Sequence, residues 1–223
     1  MAAPYFEFQS AAPSKRNPDF YSAVGKRALD VVLVILALPI VLPVVALALC
    51  LTALSGGRPL YAQTRIGRDG APFRCWKVRT MIPDAEAELA RILRSSPDLA
   101  AEWGRNQKLA RDPRITRLGA VLRRTSLDEL PQLWNVLTGS MSLVGPRPFL
   151  PEQRALYLDG RQDAAYYRMR PGITGFWQIG CRNRGSFAER AGYDTAYGHA
   201  LGLGTDLAVL VQTLGVVLRA TGA

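Results

Sequence analysis

Asp128 and Glu129 are adjacent carboxylates set among cations. Arg123 and Arg124 precede them, and Arg147, held between Pro146 and Pro148, follows in the same stretch, RRTSLDELPQLWNVLTGSMSLVGPRPF. One reading is a helix capping box, with Ser126 as the cap and Glu129 three residues on. Pro131 then falls in the second turn and removes a hydrogen bond. If Pro131 is instead the first helical residue, both acids lie just outside the helix. In either case they stand near a helix N-terminus, which attracts anions such as phosphates. Neighbouring side chains on a regular helix diverge, so the two acids need not share one task. On these two residues alone the capping box is the simpler reading.

The surrounding residues point to anions as well. The prolines on either side of Arg147 restrict its backbone, which limits the entropy lost in presenting the guanidinium. Arginine is the fork that matches phosphate in a bidentate way; the alternative is a solvated turn arginine. In RMRPGITGFWQIGCRNRG, Arg168, Arg170, Arg182 and Arg184 surround Trp177 and Gln178. An aromatic ring with amide and guanidinium donors can hold a nucleobase and its phosphates, or the loop can rest on anionic lipid headgroups. In KVRTM, Lys77 and Arg79 on a strand would share a face, either as phosphate ligands or as ordinary exposed side chains. His199, the sole histidine, is assigned to structure, and a His-based triad or His-rich metal site is not expected.

These side chains need elements to position them. The chain has 223 residues and a formal net charge of +10, which favours an anionic partner: nucleic acid, an anionic membrane surface or phosphorylated small molecules. Cys50, Cys75 and Cys181 form no C-x-x-C pair, so a reducing compartment is expected. Residues 1–25 read as a polar mobile arm. From Val31 to Leu54 no residue is charged and Thr52 alone is polar. As one straight helix this run would measure roughly 36 Å, enough to span a bilayer core of about 30 Å. Pro39 and Pro43 interrupt it, and basic residues flank both ends, so both flanks favour the cytoplasm. A re-entrant helix-break-helix over residues 26–55 satisfies both features; a single span is the alternative.

Residues 56–223 read as a soluble domain. Short β pieces near 60–62 and 73–78 flank an Asp69-Gly70 hairpin turn. Helices are expected over IPDAEAELARILRSS, with Pro83 near its first turn, over DPRITRLGAVLRR, and over LPQLWNVLTG, stopped by Gly139. RPGITGFWQIGCRNRG reads as loop and turn; FAERAGYDTAYGHA and DLAVLVQTLGVVLRA read as helices. The expected fold is mostly helical α+β: a membrane hairpin plus a small cytosolic catalytic domain with a short β-hairpin and interfacial amphipathic helices.

No single piece is specific, but their order is. KRALD opening a proline-broken apolar stretch, YAQTRIGRDGAPFRCWKVRTM, DPRITRLGAVLRRTSLDELPQLWNVLTGSMSLVGPRP and RPGITGFWQIGCRN together resemble the bacterial sugar transferases of the monotopic phosphoglycosyl transferase family, from Lys26 to the C-terminus. The insert ARILRSSPDLAAEWGRNQKLARDPR resembles members that transfer galactose 1-phosphate or glucose 1-phosphate. Two departures stand out: many members break the hairpin at Ser-Pro, here Leu42-Pro43, and their SGRN is GCRN here, Gly180–Asn183. Larger members carry further N-terminal membrane helices and a nucleotide-binding-like domain; this sequence is expected to comprise the catalytic unit.

The resemblance implies transfer of a sugar 1-phosphate from a UDP-sugar to undecaprenyl phosphate, with release of UMP, as the first membrane step of exopolysaccharide, capsule or O-antigen synthesis. It makes Asp128 the nucleophile, Glu129 its partner, and Mg²⁺ a cofactor near Asp128. Lys77, Arg79, Arg124, Arg147, Arg170, Thr174, Gln178 and Arg182 become the expected substrate ligands. It places the protein at the bacterial inner membrane, among its lipids, with the catalytic domain on the cytoplasmic side. It leaves the sugar and the oligomeric state open, a homo-oligomer included. A membrane-tethered nucleic-acid binder is disfavoured because the basic residues are dispersed and carry no recognition signature. A non-catalytic scaffold is disfavoured by the intact acid pair.

Overall fold

In the computed structural model, which describes residues 20–158, 165–180 and 187–218, the apolar run folds as one helix. α1 spans Lys26–Ala53 with Pro39 and Pro43 inside it, and a π-helical turn, Tyr21–Gly25, leads into it. The expected break between two helices is thus corrected to continuous helical backbone. A proline removes one hydrogen bond but leaves the turns on either side their own, so it bends a helix more readily than it ends one. Helix also begins earlier than the expected boundary at residue 26; residues 1–19 of the expected arm lie outside the described residues.

The chain continues with a hairpin. β1 (Leu60–Ile66) and β2 (Pro72–Val78) pair antiparallel, with Tyr61 opposite Lys77 and Arg65 opposite Phe73. Asp69 and Gly70 both take positive φ, 57° and 76°, the conformation an Asp-Gly hairpin turn requires. Alternate residues share a face, so Gln63, Arg65, Cys75 and Lys77 fall on one side. α2 (Ala85–Ser95) follows, and α3 (Pro97–Asn106) starts at once because Ser96 Oγ accepts from the Leu99 N–H at 3.4 Å. α4 (Arg117–Arg124) is capped by Thr116, whose hydroxyl accepts from Gly119 N–H at 2.9 Å. α5 (Gln132–Thr138) ends at Gly139, φ 85°.

The remaining elements are β3 (Ser142–Val144), α6 (Arg154–Leu158), β4 (Gly172–Thr174), α7 (Phe176–Gly180), α8 (Arg190–Ala200) and α9 (Leu203–Leu218). β3 and β4 pair in parallel. Thus GITGFWQIG is a strand and a short helix where loop and turn were expected; three residues are too few for an alternation signal. The pair also explains its glycines. A Cβ on Gly172 would lie 2.1 Å from the Gly145 nitrogen, so the two motifs GPRP and RPGITG meet backbone to backbone. An aromatic core of Phe149, Tyr157, Tyr166 and Phe187 lies behind this junction.

Polar residues fasten α1 to the domain at both ends. Lys26 Nζ and the Tyr21 hydroxyl donate to Asp206 Oδ2 of α9 at 2.7 and 2.6 Å. Arg27 donates to the Val136 and Leu137 carbonyls at the end of α5. Asp30 is buried and accepts from Ser142 Oγ at 2.7 Å and Leu143 N–H at 3.0 Å. KRALD is therefore a docking motif. At the far end Ala48 packs on Val78 and Leu122, and Arg79 donates to the Thr52 and Gly56 carbonyls and to Ser55 Oγ. Between these ends Ile35, Leu36, Ile40, Leu42 and Leu47 are exposed, as are Leu203, Leu207, Val211 and Leu214 along α9.

Asp30→Ala would leave the Ser142 hydroxyl and the Leu143 N–H without their acceptor inside the protein. A loss of about 1–3 kcal/mol is expected, read as a lower melting temperature in detergent, with Asp30→Asn less affected. Equal melting of Asp30→Ala and wild type would show that this anchor contributes nothing.

Candidate active site

The acid pair sits in a 3-10 turn, Leu127–Glu129, between α4 and α5. Ser126 is left-handed, φ 59°, and its side chain caps nothing, so the capping box is not formed. Both acids precede α5, and their side chains serve different ends. Glu129 Oε1 accepts from Lys77 Nζ and from Arg147 Nη2, each at 2.8 Å. Burial alone would push the Glu129 carboxyl up, but the charges of Arg147 and Lys77 and their hydrogen bonds outweigh it and hold the group well below the usual carboxylate range. Asp128 is buried, 6 % exposed, and its carboxylate receives no hydrogen bond among the described residues. Burial pushes it above its ordinary value and the Glu129 charge adds to this, while Lys77, Arg123 and Arg147 oppose them.

A carboxylate kept ionised by two cations beside one left without a hydrogen bond can do two things. Glu129 aligns Lys77 and Arg147, which come from β2 and from the loop after β3. Asp128 is free to attack an electrophile or to ligate a cation. Among the described residues no group of three or more acidic, thiol or imidazole side chains gathers to form a closed metal cage. The donor set fits a magnesium ion instead, which binds through one or two carboxylates with phosphates and water completing its shell.

The structure brings Asp128, Glu129, Lys77 and Arg147 together and sends other expected ligands elsewhere. Arg79 lies beyond the end of β2, and its guanidinium closes the C-terminus of α1. Arg124 is exposed. Its neighbour Arg123 faces the acids instead, with Nε donating to Thr80 Oγ1 at 2.8 Å and its charge acting on Asp128. One residue on a helix rotates the side chain by about 100°, and the sequence alone does not say which of the two points inward. Arg170 Nε donates to the Gly139 carbonyl at 2.9 Å, capping α5. Thr174 is buried and shares a 2.7 Å hydrogen bond with Thr213 of α9. Gln178 is buried with neither amide atom partnered among the described residues. Arg182 lies outside the described residues.

Arg65 is a residue that the motif reading passed over. It donates to the Pro148 carbonyl at 3.2 Å and to Gln63 Oε1 at 2.7 Å, beneath the loop that carries Arg147. The period-two face of the hairpin, shared with Lys77, is the signal that marks it.

The family model described as bacterial sugar transferase matches residues 21–220. The chain is 43% identical over 199 residues to the UDP-galactose-lipid carrier transferase of Erwinia amylovora, covering 89% of this chain and 41% of that protein. It is 42% identical over 204 residues to the exopolysaccharide production protein ExoY of Rhizobium meliloti, covering 90% and 88%. It is 42% identical over 199 residues to the undecaprenyl-phosphate galactose phosphotransferase of Salmonella typhimurium, covering 89% and 41%. The chain thus spans about two fifths of the length of the Erwinia and Salmonella relatives and most of ExoY.

Glu129→Gln would leave Lys77 and Arg147 facing each other across a neutral amide. The expected result is a fall in melting temperature equivalent to about 1–3 kcal/mol, partly restored by adding Lys77→Met. No restoration in the double variant would show that the two cations do not converge on Glu129.

Proposed function

Because this chain belongs to the bacterial sugar transferase family, we propose that it is a polyprenyl-phosphate sugar-1-phosphate transferase acting through Asp128. The observation that carries this reading is a buried carboxylate, Asp128, that accepts no hydrogen bond among the described residues, beside one clamped by Lys77 and Arg147. The donor is a UDP-sugar and the acceptor undecaprenyl phosphate. The names of the Erwinia and Salmonella relatives support this pairing and favour a hexose such as galactose; a relative from Komagataeibacter xylinus is an undecaprenyl-phosphate glucose phosphotransferase.

A diphosphate and a lipid phosphate repel one another, and a covalent intermediate spares the site from holding both at once. A carboxylate oxygen of Asp128 attacks the sugar-bearing phosphorus. The bond from that phosphorus to the bridging oxygen breaks, its electron pair leaves with UMP, and an aspartyl phosphosugar remains. An oxygen of the lipid phosphate then attacks the same phosphorus, the acyl phosphate bond breaks, and Asp128 returns as a carboxylate. Lys77 and Arg147, aligned by Glu129, offset charge on the transferring group. When bound by Asp128 and the donor phosphates, Mg²⁺ supplies further charge neutralisation.

The same reading sets this site at the height of a lipid phosphate on the cytoplasmic face of the inner membrane. α1 is long and apolar enough to cross a bilayer. A crossing would carry its ends to opposite faces, about 30 Å apart. Yet Lys26, Arg27 and Asp30 at one end and Ala48 and Thr52 at the other hold to the same domain. This favours a helix that dips into one leaflet with its exposed middle in lipid, while the apolar stripe of α9 rests on the surface. The product would begin an exopolysaccharide or related surface glycan.

With UDP-sugar and Mg²⁺ but no lipid acceptor, the wild-type chain is expected to release UMP in a burst of at most one per site, and mass spectrometry to find a phosphosugar on the Asp128 peptide. Asp128→Asn should abolish both while keeping its fold; an adduct that persists in this variant would move the nucleophile elsewhere. For the topology, single thiols at Ser10 and at Ser55 in a background lacking Cys50, Cys75 and Cys181 should both resist an impermeant reagent applied from outside. Labelling of either from the periplasm would establish a full span.

A further inference from the structure

Arg190, the first residue of α8, is held in a setting that its neighbours do not explain. Its guanidinium lies over the ring of Phe187 at 4.5 Å and over that of Trp177 at 5.4 Å. Its Nε–H is buried and finds no acceptor among the described residues. An N–H of a cation that is shut from water and unspent is costly unless an acceptor joins it. The carboxylate one helical turn on, Asp194, is engaged by the Tyr157 hydroxyl at 2.6 Å. Burial pushes Asp194 up to about 7 against that hydrogen bond and the charge of Arg190, so it is an incomplete counter-ion.

The other groups around Arg190 are cationic. Phe187 meets Phe149 edge-on at 6.4 Å, two residues beyond Arg147, and Arg65 donates to Pro148 between them. Arg190 and Arg65 thus flank the loop Pro146–Phe149 that carries Arg147. Burial and the charges of Arg147 and Arg65 pull the Arg190 guanidinium down to about 9, with Asp194 opposing. Lys108 is depressed by burial and by the charges of Arg190 and Arg147. Glu129, the carboxylate at the heart of the site, is already shared by Lys77 and Arg147. Positive charge therefore exceeds negative charge here, on a side of the loop that the acid pair does not reach by any hydrogen bond among the described residues.

We propose that Arg190 is a second anion-binding side chain of this site, taking the diphosphate of the nucleotide donor together with Arg147, with its unspent Nε–H donating to a phosphate oxygen. The inference rests on the reading of Asp128 as the centre of a nucleotide-sugar site. The aromatic faces keep the guanidinium in place when the site is empty, so little ordering is left for the moment of binding. Arg190 then contributes to donor affinity, and the lipid acceptor does not depend on it.

The test uses the full chain in detergent, with calorimetric titration of UDP and of inorganic pyrophosphate and steady-state kinetics with both substrates varied. Arg190→Gln is expected to weaken both ligands about tenfold or more, the loss of one charge-assisted contact. It should raise the donor KM to match and leave the acceptor KM unchanged. Arg190→Lys, which keeps the charge but not the fork, should fall between the two; it also carries the test if Arg190→Gln melts early. Unchanged affinity for UDP and pyrophosphate in either folded variant, or a fall in kcat without a change in donor KM, overturns the proposal. A wild-type chain that binds pyrophosphate through Arg190 yet turns over no UDP-sugar would sink the proposed reaction and leave the anion site standing.

Discussion

The double ion pair on Glu129 is the constraint around which the site is built. Lys77 comes from a hairpin, Arg147 from a loop some seventy positions later in the chain, and one carboxylate oxygen gathers both. The three side chains are between 16% and 35% exposed, so the pairing is shielded from water but not sealed off. Removing one member of such a set leaves the others with uncompensated charge, which costs more than the pair itself contributes. The same arrangement spares Asp128 from serving as a structural counter-ion.

A second constraint is the attachment of α1. Asp206 accepts from Tyr21, Lys26 and Tyr197, and so joins the start of the apolar helix to the last helix of the domain. Asp30 joins it to β3, the strand that leads into the Arg147 loop. Arg79 closes the far end, two residues beyond Lys77 on the same segment. The long apolar helix is therefore tied to the same backbone segments that carry the cations of the site. Few polar contacts suffice, because the rest of α1 only has to be apolar on its exposed side.

The parallel junction of β3 and β4 links these two constraints. Gly145 and Gly172 let the strands approach until no side chain fits between them, with Gly145 N–H donating to the Thr174 carbonyl at 2.8 Å. Arg147 follows two residues later, and the aromatic core packs behind its loop. The loop is thus held by a backbone pair on one side and by rings on the other, which limits the orientations open to the Arg147 guanidinium.

Much of this was legible in the chain itself. An uncharged run of two dozen residues, an Asp-Gly turn between β-like pieces, and adjacent acids among arginines each announce themselves through local pattern. Hydropathy, turn chemistry and residue type are properties of short windows, so these features need no partner to be read. Helix through Pro39 and Pro43, the choice of Arg123 over Arg124, the use of Arg79 to close α1 and the placement of Arg190 on Phe187 and Trp177 were decided only in the folded protein. Each depends on a partner from another part of the chain, or on a rotation of about 100° between neighbours on a helix. Local periodicity carries neither. Adjacent acids can be read from sequence, but which of them takes the hydrogen bonds of Lys77 and Arg147 is settled only when a hairpin and a distant loop arrive on the same oxygen.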